Sequence, residues 1–465
     1  MSENPRRPAF GIALATFLAF IAILMVGIFK FKVPVHVLLF IGIVLTALVA
    51  KASGFKWKEI ETAMGSGVNR AMIGLFIFFL IGMTIGAWIQ SGTVPALIYY
   101  GLKLLSPKWF LPAGLIICSA TSLATGTSWG TVGTVGLALI GIGVGMGIPA
   151  PIVAGMILSG AFFGYNLSPL SAVTNLSAIS VETGLYDHIR AMMVSSFPAY
   201  VIATVMFAFT GFKYAKGALN TEQVASIQQT IAAQFHISVW LFFPMVLVLV
   251  LSVMKVPAIP STVSGIFGGI VISLVFQGAS ITSVLTTLFS GFKSTSGVEA
   301  VDKLLNRGGL MSMMDTFSLA FIALALGGVF DELHFLEVLV EKMTHRIKRT
   351  ASLTTLTIVS ALAGNAATGE AYLSIILNGR LYSRAFDKKN LKRQMLSRCL
   401  GEGSVYTVGM IPWTTAGAFT AGALSVPSLQ YAPYAFLCWV APLISIVFSY
   451  AGVFILRKAK TKVVV

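Results

Sequence analysis

The sequence predicts an all-α polytopic membrane protein, with about ten transmembrane helices plus two re-entrant hairpins in two inverted-topology repeats. Three observations carry that prediction. Of 465 residues, 56% are hydrophobic and 10% charged, against roughly a quarter charged in an ordinary soluble domain. Apolar stretches of bilayer-spanning length recur along the whole chain, and short polar motifs return in its second half at one fixed spacing.

A spanning helix needs about 20 mostly apolar residues. The segments 10–29, 33–50, 71–90, 151–178, 191–212, 237–254, 257–276, 310–330, 395–424 and 433–456 supply them. Arg6 and Arg7 resemble a signal n-region, but the run behind them lacks a small-residue cleavage site and further spans follow, so it reads as a retained helix. Two other apolar stretches, 110–146 and 351–386, are too long for one crossing and are interrupted halfway by small polar residues. Each reads as a re-entrant hairpin whose arms of about 15 residues rise roughly 22 Å, short of the roughly 30 Å hydrocarbon core. Irregular backbone at that depth is tolerated only inside protein or against a watery cavity, which makes both tips candidate site elements.

The net charge of +16 comes from 32 Lys and Arg, nearly all lying between apolar stretches, so it signals orientation and no nucleic-acid partner. With both termini in the cytoplasm, 23 of them fall on the cytoplasmic side and nine outside; segment 380–398 holds seven and the tail four. This bias predicts a multi-pass membrane protein with cytoplasmic termini; the expected location is the plasma membrane, as a bacterial inner membrane. Cys118, Cys399 and Cys438 lie in or near apolar stretches without CxxC or metal-ligand spacing and read as packing residues.

The motif A-T-G-T-S-W (Ala124 to Trp129) returns as A-T-G-E-A-Y (Ala367 to Tyr372), 243 residues later. The same offset carries Ser168–Ser171 (S-P-L-S) onto Ile411–Thr414 (I-P-W-T), and the helix at 191–212 onto 433–456. The spans starting at 71, 151 and 191 are the third to fifth crossings, and their partners are the eighth to tenth, so the halves are inverted in the membrane. Residues 1–236 then form a first repeat with N-terminal helices, its hairpin at 110–146 and a broken helix at 151–178. A linking helix occupies 237–256, and 257–465 form the second repeat, with hairpin 351–386 and broken helix 395–424. Inverted repeats with paired discontinuous helices imply a secondary active transporter whose site lies near the midplane between them. A passive channel is the alternative from a different class.

Pro169 and Pro412 each remove an amide donor in mid-membrane and free backbone carbonyls. Carbonyls, hydroxyls and Asn amide oxygens suit a sodium ion, whereas half-helix N-termini suit an anion. The residues by themselves therefore leave open a small ion and a small carboxylate or zwitterion. A charge at bilayer depth costs about 2.5–3.5 kcal/mol on insertion scales, which singles out Asp315, Glu370 and Glu402 as proton-coupling candidates; Asp331 and Glu332 follow a helix end and read as interfacial. The stretch Gly126 to Gly130 fits the nucleophile-elbow spacing G-x-S-x-G, but no strand precedes it, and His36, His188, His236, His334 and His345 lie near segment ends. Neither HExxH nor a P-loop is present. The expectation is a transporter and no enzyme, without cofactors beyond Na+ and/or H+ as coupling ions.

The run A-T-G-T-S-W-G-T-V-G-T-V-G, followed by G-I-G-V-G-M-G-I-P, S-G-A-F-F-G and S-P-L-S-x-x-T-N-L-S-A, resembles the NhaC-type sodium/proton antiporter family. So do R-G-G-L-M-S-M, G-N-A-A-T-G-E-A-Y and I-P-W-T-T-A-G-A-F, and the matches run in order from about residue 110 to 424. The resemblance implies an ion-transporter fold with two hairpins and exchange of Na+ for H+ by alternating access, some relatives exchanging organic acids such as malate and lactate. Carried over by position, the binding residues are Thr125, Thr127, Ser128, Asn166, Ser168, Ser171, Thr174 and Asn175 in the first block, and Asn365, Thr368, Glu370, Trp413 and Thr414 in the second. A sodium ion would draw on Ser168, Asn175, Thr368 and Thr414. The chain departs from the family pattern at three places. Tyr165 and Asn166 stand where Asp-Lys is expected, Ala172 where Asp is, and Gly401 with Glu402 where two adjacent acids are. The region becomes less negative and more hospitable to an organic anion or zwitterion, so an H+- or Na+-coupled carrier of a small organic acid or amino acid is the alternative. The lipid bilayer is the partner, and a homodimer is compatible with the sequence.

Overall fold

Apolar runs flanked by Gly and Pro form helices here because a low-dielectric surround leaves backbone groups no partner but each other. In a computed structural model that describes residues 6–216, 221–344 and 349–458, all regular structure is helical, apart from one isolated bridge between Leu391 and Arg457. His345 and the tail's Lys460 and Lys462 lie outside the described residues. Eight helices are long and apolar enough to cross a membrane, or up to ten if each of two bent pairs counts as one span.

The two hairpin stretches differ from expectation in length. Their arms are the helices Pro107–Thr125 and Ser128–Gly145, then Thr350–Thr368 and Ala371–Lys388, with 19, 18, 19 and 18 residues. At 1.5 Å per residue they rise about 27–28 Å, more than the arms the composition suggested. The reason is local: each tip is only two residues long. Gly126 and Gly369 end the incoming arm in the left-handed region, both at φ +71°, and Thr127 and Glu370 at once cap the outgoing helix, with side chains accepting from Gly130 N and Ala371 N. The last turns of Ala371–Lys388 carry Arg380, Arg384, Asp387 and Lys388, so its apolar part is much shorter than its length.

Both broken helices form. Ala150–Leu167 stops before Pro169 and resumes as Ala172–Ile179. Arg393–Leu400 continues through a π-helical turn, Gly401–Val405, into Tyr406–Val408, stops before Pro412 and resumes as Thr415–Leu424. The segment expected at 191–212 belongs to a longer helix, Leu185–Lys216. The span expected at 237–254 is shorter: its α-helix is Phe243–Val253, meeting Val224–Gln234 at 95° across a turn in which Ser238 caps Trp240 N. Amphipathic helices Trp57–Arg70 and Thr93–Leu104 occupy stretches between the expected spans, because their mixed polarity falls below a spanning criterion while still burying one face.

Packing draws the breaks and tips together. Where Pro107–Thr125 crosses Ala150–Leu167, a Cβ on Gly164 would lie 2.4 Å from Ser119 O, so only glycine admits this approach. In Met314–Glu332 a Cβ on Gly327 would lie 2.2 Å from Thr368 O, which seats the second tip on that helix. The 243-residue spacing recurs in hydrogen bonds. Ser122 Oγ donates to Ala161 O at 2.6 Å, and Asn365 Nδ2 to Ser404 O at 2.7 Å. Ser171 caps Ala172–Ile179 through Thr174 N, as Thr414 caps Thr415–Leu424 through Gly417 N. Ser168 Oγ reaches Leu123 O at 2.7 Å, and Trp413 Nε1 reaches the corresponding Ala366 O at 2.7 Å.

Candidate functional site

Two tips, each turned by glycine and restarted by a capping side chain, meet the two breaks around a cavity of about 950 Å3, at the upper end of the roughly 300–1,000 Å3 usual for small-molecule sites. It runs from the exposed Arg70 and Lys255 inward to the buried Ser128. Arg70 is neutralised by Asp331 at 2.6 Å and Glu332 at 2.5 Å, whereas Lys255 has no ion-pair partner among the described residues.

Of the residues carried over from sequence, Thr125, Thr127, Ser128 and Glu370 line this cavity. Glu370 is the one acid among its described lining residues. Its Oε1 accepts from Ala371 N at 3.0 Å and its Oε2 from Thr415 Oγ1 at 2.5 Å, so the carboxylate bridges the second tip and the helix that resumes after the second break. Each oxygen keeps a lone pair for a proton or a cation.

The other carried-over residues build the frame instead. Ser168, Thr174, Asn175, Asn365, Thr368 and Thr414 all donate to backbone carbonyls, Thr174 to Tyr165 O at 3.0 Å, Asn175 to Pro169 O at 2.9 Å and Thr414 to Val408 O at 2.5 Å. Ser171 caps a helix and Trp413 pins the second tip. Asn166 donates to Gly401 O at 3.1 Å and ties one broken helix to the other. The carbonyls freed at the breaks are thus largely taken up by these side chains. Ser168 and Asn175 stand at one break, and Thr368 and Thr414 flank the other tip and break.

The structure brings neither remaining acid to the cavity. Asp315 sits in the first turn of Met314–Glu332 with its side chain 84% exposed, 3.7 Å from His36 Nε2. Its segment was expected to cross the core from residue 310, but Leu310–Met313 is a 3-10 turn, which leaves Asp315 at a helix end. Glu402 is fully buried and is not among the residues lining the cavity; it is hydrogen-bonded by Ser195 and lies 4.0 Å from the buried Arg398. Among the described residues no group of three His, Cys, Asp or Glu is placed to hold a metal ion.

Tyr165 and Ala172, singled out in the sequence as departures from the family pattern, both line the cavity, whereas several other lining residues escaped the sequence reading. Tyr372 approaches Tyr165 hydroxyl to hydroxyl at 3.1 Å. Trp129 stacks on Phe419 with centroids 4.5 Å apart and planes 8° apart, and Phe78 meets both edge-on. Thr415 could have been found from the repeat, because it stands next to the capping Thr414 as Ala172 stands next to Ser171. Arg70 and Lys255 carried no signal beyond the orientation count.

Comparison with known proteins agrees with this architecture. Residues 160–453 match the family described as the Na+/H+ antiporter family. A malate-2H+/Na+-lactate antiporter of Bacillus subtilis (strain 168) is 38% identical over 96% of this chain and 94% of its own length. The Na+/H+ antiporter NhaC of Alkalihalophilus pseudofirmus is 35% identical, covering 96% of this chain and 97% of its own. The arginine/ornithine antiporter ArcD of Halobacterium salinarum is 33% identical, over 97% and 93%.

Proposed function

The chain belongs to the Na+/H+ antiporter family and is a multi-pass secondary antiporter, and from that premise we propose that it exchanges Na+ for H+ across a bacterial cytoplasmic membrane by alternating access, with Glu370 as the shared binding group. The observation that carries this reading is that Glu370 is the one acid lining the cavity among the described residues. A carboxylate that takes either a proton or a cation, and never both fully, makes the two compete at one place. That competition is the minimum requirement of an exchanger.

Alternating access calls for two half-structures that rock about a fixed site. The offset of 243 residues, repeated in sequence and in hydrogen bonds, supports such a pair of halves, 1–236 and 257–465 with a linker between. With both termini cytoplasmic, as the charge bias of 23 to nine favours, Arg70 and Lys255 lie on the cytoplasmic side and the cavity in this conformation opens inward.

A carrier of a small carboxylate is the second reading. It is favoured by a cavity far larger than a bare ion requires, and by a relative, 38% identical, that is named for malate and lactate. Reconstituted protein decides between them. Na+-dependent dissipation of a pH gradient in proteoliposomes, without organic solutes, is the expected result for the first reading. Proton flux that stays silent with Na+ and appears only with lactate, malate or an amino acid would overturn it in favour of the second.

A further inference from the structure

The last apolar helix, Phe436–Ala451, ends at Gly452, whose φ of +74° turns the chain back beneath its own base. Phe454 meets Phe448 of that helix with ring centroids 5.1 Å apart. The chain then pairs with the segment that joins the second hairpin to the second broken helix. Lys392 N donates to Leu456 O at 2.8 Å, and Lys458 N to Asn390 O at 2.9 Å. Asp387 locks this strap, held by Lys458 at 2.8 Å and by Arg393 at 2.5 Å. Exchange at Glu370 makes no use of it.

Around the strap lies positive charge without compensation. Arg380, Arg384 and Lys388 recur at every fourth residue of the outgoing hairpin arm, Ala371–Lys388, and so form one stripe about 12 Å long. Arg457 bridges to Leu391 within the strap, beside Lys392. All five cations are exposed, and none has an ion-pair partner among the described residues. Asp387 is the one acid in 380–398, and none follows Gly452 in the sequence. Its two oxygens are already engaged by Lys458 and Arg393. Like charges on so small a surface repel one another, and an anion that draws them together relieves that cost.

The neighbouring surface selects the anion. Leu443, Val447 and Tyr450 lie one turn apart on the exposed face of Phe436–Ala451, and Val453 and Phe454 extend that face to the start of the strap. A soluble anion gains nothing from such a face. A phospholipid lays its acyl chains along it and sets its phosphate among the cations.

We propose that the strap is a docking site for the headgroup of an anionic phospholipid, which gathers the stripe, Lys392 and Arg457 about its phosphate and braces the outgoing hairpin arm against the tail. Each basic residue beside an anionic lipid surface contributes about fivefold to binding. The bound lipid acts on the far end of the arm that Glu370 caps.

Full-length protein carrying a dye on Val453→Cys is placed in phosphatidylcholine nanodiscs with increasing shares of spin-labelled phosphatidylglycerol or spin-labelled phosphatidylcholine. The three native cysteines are buried, so the dye reports residue 453 alone. Half-quenching comes at a much smaller share of the anionic lipid, and the difference shrinks as salt is raised. Lys392→Gln together with Arg457→Gln moves the anionic midpoint upward roughly five- to twenty-fivefold, at about fivefold per charge. Lys51→Gln with Lys58→Gln, which removes two exposed cations elsewhere, leaves it nearly unchanged. Phosphatidylglycerol also raises the melting temperature of the native protein, and does so less in the strap variant, since a ligand of the folded state stabilises that state. Equal quenching by the two lipids, or equal shifts in the two double variants, would overturn the site and leave only the diffuse attraction of a positive surface. Displacement of the labelled lipid by inorganic phosphate at constant ionic strength would overturn it in favour of a soluble anion. The lipid comparison and its salt dependence are read on otherwise native protein, so they decide the matter even where a double variant fails to fold.

Discussion

Replacing Glu370 by Gln removes one charge and one exchangeable proton while changing little of the fold, which makes it the sharpest test of the mechanism. The carboxylate accepts two hydrogen bonds, from Ala371 N at 3.0 Å and Thr415 Oγ1 at 2.5 Å. Gln can keep both: its amide oxygen accepts from Ala371 N, and its NH2 donates to the Thr415 hydroxyl, whose own proton rotates away. What is lost is charge assistance, the difference between roughly 1.5–3 and 0.5–1.5 kcal/mol per bond, so over two bonds folding should weaken by about 2–3 kcal/mol and membrane expression should persist. Function loses far more. A monovalent cation about 4 Å from a carboxylate gains about 4 kcal/mol at an effective dielectric near 20, before its desolvation is discounted, so Na+ affinity should fall at least tenfold. Proton exchange through residue 370 should stop altogether. The assay is Na+-driven pH-gradient dissipation in proteoliposomes, with Na+ binding measured on the same preparation. Asp315→Asn is the control, expected within about twofold of the native rate because residue 315 lies outside the cavity. Full Na+-coupled proton flux in a well-folded Glu370→Gln protein would refute the reasoning and move the proton to the buried Glu402.

Thr415→Val keeps shape and removes the donor to Glu370 Oε2; loss of a charge-assisted hydrogen bond worth roughly 1.5–3 kcal/mol should cut coupled flux about ten- to a hundredfold, and a flux within twofold of native would exclude Thr415 from the site. Orientation is checked by Lys388→Cys in a cysteine-free background, since residue 388 is exposed at the end of its helix: an impermeant maleimide should label inverted vesicles and leave sealed cells unlabelled, and the opposite pattern would reverse the topology. Asp387 supports the junction between that helix and the tail through Arg393 at 2.5 Å and Lys458 at 2.8 Å. Partial burial acts to raise its carboxyl, but Lys458 and Arg393 outweigh this and hold it below its ordinary value near 3.8. A depressed value gives stability that is present above the ordinary value and lost as pH falls through the depressed one. Asp387→Asn should therefore cost about 1 kcal/mol at neutral pH, with the gap to the native protein closing in acid, as read from thermal melts across pH.

The helices, breaks and tips were legible because membrane folding leaves strong marks: a long apolar run has few alternatives to a helix, and Pro169, Pro412, Gly126 and Gly369 interrupt the pattern where the backbone stops. The short amphipathic helices were not legible, since Trp57–Arg70 and Thr93–Leu104 take their stability from packing one face. Family position alone could not divide the polar residues into those that face the cavity and those that build its frame. Ser168 and Ser128 are both buried serines in matching motifs, yet one donates to Leu123 O while the other has no partner. The difference lies in which carbonyls the breaks leave open, and that is settled only once the two chain segments meet. Asp315 misled for a similar reason: its apolar context looked like mid-span, while a 3-10 turn begins the helix just before it.

The repeat also explains which positions are free to diverge. At frame positions both halves must satisfy a backbone group that a break or close crossing has exposed in a low-dielectric surround, so the chemistry is retained even where the residue changes: Ser122 and Asn365 both donate to a carbonyl, and Ser171 and Thr414 both accept from an amide of the resumed helix. At cavity positions water can satisfy whatever the side chain does not, and there the halves differ in charge, as at Thr127 against Glu370, or in polarity, as at Ala172 against Thr415 and Trp129 against Tyr372. A change at a frame position should therefore show first as lost folding, and a change at a cavity position as altered selectivity in a protein that still folds. Exchanging the two kinds of pair between halves separates these effects. Asn365→Ser should lower the melting temperature, because serine reaches Ser404 O less well and abandons Thr407 Oγ1. Thr127→Glu should fold, since its backbone already matches that of Glu370, and it should favour a cation over an organic anion. Misfolding of Thr127→Glu alongside a fully stable Asn365→Ser would mean that frame and cavity have been assigned the wrong way round.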